Sequence, residues 1–80
     1  MTSGEREILA MWVVYERPRD FPHSFVIRRR MICTDGRELV DPVPLAVGPT
    51  LEAVRRALPP GLHRMPRHPL DEPQIAEVWL

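Results

Sequence analysis

The side chains with the greatest chemical reach in this chain are guanidiniums. Arg28, Arg29 and Arg30 form a run, and Arg17 and Arg19 lie shortly upstream. On an extended backbone Arg28 and Arg30 share one face and Arg29 takes the other. Guanidiniums in such a row contact phosphates, and Trp12, Phe21 or Phe25 offer a base a surface to stack on. A weak nucleic-acid-binding domain built on Arg17, Arg19, Arg28 and Arg30 is therefore one functional expectation. A quieter role competes with it. Arg30 is expected opposite Asp41 as a cross-strand ion pair, and long arginine stems cover apolar sheet surface while their heads stay in water.

His63, His68, Asp71 and Glu72 are the one grouping with the side chains of a metal site, with His63, His68 and Asp71 as its nearest approach to a ligand set. A spacing of five, with Pro66 between the histidines, does not put them on one side of a helix or a strand. Surface polarity explains them better, with Arg64 and Arg67 pairing Asp71 or Glu72. Nucleophilic catalysis has less support. Cys33 falls late in a strand-like run, where a small buried residue serves, and Ser24 follows His23 directly, so their side chains diverge. The four glycines, at 4, 36, 48 and 61, make no phosphate loop. No enzyme, no cofactor and no metal is the resulting expectation.

These side chains must be held by few elements. A chain of 80 residues buries only roughly 60–65% of the surface its unfolded state exposes, enough for one small domain. Hydrophobic residues make up 44% and there are ten prolines, so a single core broken by turns is expected. Eleven basic and eleven acidic residues cancel, which excludes binding driven by overall charge. A single cysteine excludes an internal disulfide. The polar start and the short apolar run fit neither a signal peptide nor a membrane-spanning helix, so the cytoplasm is the expected compartment and no membrane the expected partner. Met11 opens the first convincing element, and residues 1–10 are expected to form a poorly ordered leader before a domain over 11–80.

Residues 8–16 are rich in β-branched and aromatic side chains and predict a strand. Pro18 and Pro22 make 17–23 a loop, with Phe21 at its centre. Residues 24–34 predict a second strand, and Asp35-Gly36 a two-residue hairpin turn. That turn would set Ile32 opposite Leu39, Met31 opposite Val40 and Arg30 opposite Asp41. Pro42 and Pro44 confine the third strand to a sheet edge. Thr50 is expected to cap a helix whose Leu51, Val54 and Leu58 face inward while Glu52, Arg55 and Arg56 face away, and Pro59-Pro60-Gly61 stops it. Residues 62–73 should be irregular or partly extended, and 75–80 a last strand, with Ile75, Glu77 and Trp79 on one face.

The fold class expected is α+β: a small antiparallel sheet of three to four strands with one short helix packed on one face, in the order β-β-β-α-β. The first and last strands are apolar on both faces, and one short helix covers only one. The second face calls for the 62–73 segment, the Phe21 loop or another copy of the chain. The run from Met11 to Pro22 and the run from Asp71 to Trp79 resemble the two ends of a family of short, uncharacterised bacterial proteins, over residues 11–80. That resemblance implies a small cytoplasmic protein and carries no activity, cofactor or site. The functional expectation is a non-enzymatic protein-interaction or accessory module that self-associates through its sheet as a homodimer. Trp12, Val14, Val78, Trp79 and Phe21 are its interface candidates, and Arg17, Arg19, Arg28, Arg30, Arg64 and Arg67 its polar surface candidates.

Overall fold

The computed structural model describes residues 7–66 and 72–80. They form strands β1 (Glu7–Glu16), β2 (Phe25–Cys33), β3 (Glu38–Val40) and β4 (Ala46–Gly48), helix α1 (Leu51–Arg55), and strands β5 (Arg64–Met65) and β6 (Ile75–Trp79). All pairings are antiparallel, in the order β3-β2-β1-β6-β5, with β4 also on β2. The class expected from the sequence, an antiparallel sheet with one short helix, is what forms, but with six strands rather than three to four.

One extra strand comes from prolines and the other from an edge pairing. The expected third strand is split into β3 and β4, because Pro42 and Pro44 cannot donate to a ladder. Asp41 N–H still bonds Arg29 C=O at 2.9 Å and Leu45 N–H bonds Ile27 C=O at 2.8 Å, so both pieces stay on the same edge of β2. Within the segment expected to be irregular or partly extended, Arg64 and Met65 pair with Trp79 and Val78. Reciprocal bonds between His63 and Leu80, 2.7 and 3.0 Å, anchor that short edge strand. At the other end, residues 7–10 belong to β1 rather than to a leader, with Leu9 opposite Ile32 and Ala10 opposite Met31.

The β2–β3 register departs from expectation by one residue. Met31 pairs Leu39 and Arg30 pairs Val40. The reason is the turn. Gly36 N–H bonds Cys33 C=O and Cys33 N–H bonds Arg37 C=O, both at 2.9 Å, which closes a three-residue loop over Thr34, Asp35 and Gly36. Of these three only Gly36 has positive φ, at 87°. Asp35 instead uses its carboxylate to accept from Arg37 N–H at 3.0 Å, a local bond that keeps it out of the left-handed region a two-residue turn requires.

A second irregularity re-sorts β6. Trp12 pairs Trp79 and Val14 pairs Glu77, but Tyr15 pairs Ile75, so the strand bulges at Ala76. Ile75 therefore shares a face with Val13, Tyr15 and Val78, and not with Glu77 and Trp79 as strict alternation implied. On the opposite face Val14, Ile27 and Val54 form the core beneath α1, with Trp12, Phe25, Leu51, Leu58, Ala76 and Trp79 packed around them. Thr50 caps α1 through its hydroxyl, which accepts from Ala53 N–H at 3.1 Å, and Val54 is the buried residue of the helix. The inward stripe read from the sequence is the one observed.

Candidate functional site

The arginines of β2 are engaged within the molecule. Arg28 donates to Asp20 at 2.5 Å and to Pro42 C=O at 3.0 Å, tying the β1–β2 loop to the sheet edge. Arg30 donates to Glu38 at 3.0 Å and to the Tyr15 hydroxyl at 2.7 Å, with its guanidinium over the Tyr15 ring and its Nε buried without a partner. Glu38 replaces the expected Asp41, a direct result of the one-residue register difference. Arg29, on the other face, lies 5.9 Å from the Trp12 ring centroid. Each cation that sequence alone offered to phosphate on β2 thus has a protein partner. Arg17 and Arg19 stay exposed in the loop, where Arg17 takes a positive φ of 50° and its N–H bonds Ser24 C=O. Phe21 in that loop is half-buried.

The strongest electrostatic cluster is one the sequence reading did not assemble. Glu77 is only 5% exposed and lies on the helix side of β6. Arg55 of α1, expected to face away, turns to grip both carboxylate oxygens. The Trp79 indole donates to Oε1 at 2.9 Å and Arg64 reaches Oε2 at 3.4 Å. Burial pushes the Glu77 carboxyl up, but the bonds from Arg55 and Trp79, with the Arg55 charge, outweigh it and hold the group below the usual carboxylate range. Arg55 is correspondingly raised, chiefly by its bond to Glu77. The available signal was a lone acid inside an apolar strand, Ile75-Ala76-Glu77-Val78-Trp79, since a buried charge requires a partner.

Beside this cluster a cleft of about 380 Å³ opens, lined by Arg64, Met65, Pro66, Ala76 and Glu77. The buried Glu77 carboxylate, the apolar side chains of Met65, Pro66 and Ala76, and Arg64, with 60% of its side chain exposed, line it together. Two guanidiniums meet one carboxylate here, so the cluster carries an excess positive charge.

The opposite edge of the sheet has a different character. Among the described residues seven large apolar side chains are exposed, and Leu39, Val40, Val43, Leu45 and Val47 are five of them. Between Arg30–Val40 and Ile27–Ala46 three steps along β2 are matched by six along its neighbour, so the chain at Asp41–Leu45 bulges outward. Two prolines, the Val43 N–H bond to Asp41 at 3.0 Å and the Arg28 bond to Pro42 C=O stiffen the bulge. Val43, at its apex, is 70% exposed.

The interface candidates separate. Val14 is fully buried beneath the helix and serves the core, while Trp12 and Trp79 are partly buried cross-strand neighbours on that same side. Val78 packs on the opposite face. His63 is exposed and held by its backbone. His68, Asp71 and Arg67 lie outside the described residues, and among those described no three metal-ligating side chains come together. Among the described residues no helix is long and apolar enough to cross a membrane. Comparison with protein-family models, with curated proteins and with solved structures finds no match.

Proposed function

We propose that this chain is a cytoplasmic, non-enzymatic interaction module that docks through the β3–β4 edge of its sheet. The observation that carries this reading is the concentration of exposed apolar side chains between Leu39 and Val47, with Val43 lifted on a stiffened bulge. A projecting aliphatic side chain whose backbone is already ordered loses little entropy on docking. A central apolar anchor of this kind is what a small interface uses for its affinity. Nucleic-acid binding is the weaker reading, because Arg28 and Arg30 are partnered by Asp20 and Glu38 and only Arg17 and Arg19 remain for phosphate.

The test is a comparison of the wild type with Val43→Asp paired with Leu45→Asp. Both side chains are exposed, so the double variant should melt close to the wild type. Immobilised wild type should retain copies of itself or other protein ligands, and the immobilised double variant should retain neither copies of itself nor those ligands. Equal retention by the two would remove the β3–β4 edge as the docking surface.

A further inference from the structure

We infer that the partner of the β3–β4 edge is a second copy of this chain, joined head to tail: Val43 of one protomer enters the β5–β6 cleft of the next. This rests on the reading of the β3–β4 edge as the docking surface and adds its occupant.

Three features of the molecule fit together in this arrangement. The first is placement. The sheet order puts the Val43 bulge on one outer edge and the cleft on the other, so a protomer presents a projection and a receptacle on opposite sides. A contact between unlike surfaces on opposite sides does not close on itself as a two-fold dimer does. It propagates into a ring or an open chain.

The second is size and charge. A cleft of about 380 Å³ walled by Met65, Pro66 and Ala76 accepts an aliphatic side chain with flanking proline rings. Its rim carries the excess positive charge of Arg64. At the base of the projection Asp41 accepts from Val43 N–H and makes no ion pair among the described residues, so its carboxylate stands ready for that guanidinium. Arg64 is the guanidinium free to turn outward, because Glu77 retains the closer Arg55 bonds when it leaves.

The third is what the edges refuse. Asp41 and Leu45 spend their N–H groups inward on β2, and Pro42 and Pro44 have none. On the far edge Pro66 follows Met65 with none either. Prolines interrupt strand-to-strand extension of the sheet beside both edges, which favours side-chain insertion as the way for the two edges to meet.

The experiment uses two variants that break opposite halves of the contact. Val43→Asp spoils the projection and keeps the cleft; Met65→Glu spoils the cleft and keeps the projection, and both positions are exposed. Ala76→Leu, which fills the cleft from its wall, is a second cleft variant should Met65→Glu lose its fold by circular dichroism. Molar mass is read by light scattering from low micromolar to millimolar chain. Wild type should grow past the dimer as concentration rises. Each variant alone should stay near the 9.3 kDa chain mass, with association weakened at least tenfold. An equimolar mixture of the two should form a dimer and stop there, because each has one intact half.

A wild type that halts at a dimer, or a mixture that stays monomeric while wild type associates, overturns the head-to-tail contact. So does a wild type that is monomeric throughout. If that monomer still retains another protein in a Val43-dependent way, the docking edge stands and only its occupant is wrong; if it retains nothing, both readings fall together.

Discussion

Glu77 shows how one residue can join separate parts of a small fold. It receives hydrogen bonds from the helix, from the edge strand β5 and from its own strand. Replacing it with Gln keeps the shape, removes the charge and leaves Arg55 without its counter-ion, at a cost of about 1–3 kcal/mol. The pH dependence has a definite sign. The folded carboxyl lies below its ordinary value, so its contribution is complete above the unfolded value of about 4.3 and disappears as pH falls through the lower folded value. Urea unfolding of wild type and Glu77→Gln should therefore differ at pH 7 and draw together progressively as pH falls below about 4. A gap that is unchanged at pH 3 would show that the carboxylate charge is not the source.

At the scale of elements, the hairpin between β2 and β3 decides which side chains share a face. Strand periodicity is two, so a one-residue change of register exchanges every partner on one side. Here it exchanges Asp41 for Glu38 as the partner of Arg30. Gly36 holds this register with its positive φ, and a Cβ there would meet nothing within 4 Å, so substitution costs backbone strain alone. Gly36→Ala should destabilise by about 1–2 kcal/mol and Gly36→Asn by less, since Asn tolerates the left-handed region. Thermal melts of the two variants check the order. Equal loss in both would point to a contact of the loop rather than to its φ. Asp-Gly was readable as a turn, but its length depended on whether the Asp35 side chain bonds forward to Arg37, and that competition is settled only when the strands meet.

Across the whole molecule, the prolines limit how the sheet can grow. An exposed edge rich in Leu and Val is a template for indefinite pairing, and Pro42 and Pro44 remove donors from the middle of it. Pro42→Thr combined with Pro44→Thr restores those donors beside exposed Leu39, Val40 and Val43. That variant should form thioflavin-positive aggregates at concentrations where wild type does not. Aggregation equal to wild type would show that the outward bulge, rather than the missing donors, protects the edge. Head-to-tail association and protection from fibrils are compatible, since one uses side chains and the other denies backbone.

The strand over 8–16, the capped helix at Thr50 with its Leu51, Val54 and Leu58 stripe, the edge position of the proline-bearing strand and the burial of Cys33 were all determined by the sequence alone. Each follows from local steric preference or from a periodicity repeated within a few residues. The tertiary structure decided the three-residue turn, the bulge at Ala76, the brief β5 pairing and the meeting of Arg55 with Glu77. These depend on which strand lies beside which, a choice made by long-range packing that no stretch of this chain encodes on its own. The Val43 projection and the cleft beside Glu77 belong to the second group. They are products of a broken strand and a late edge pairing, and they exist only once the sheet has closed around them.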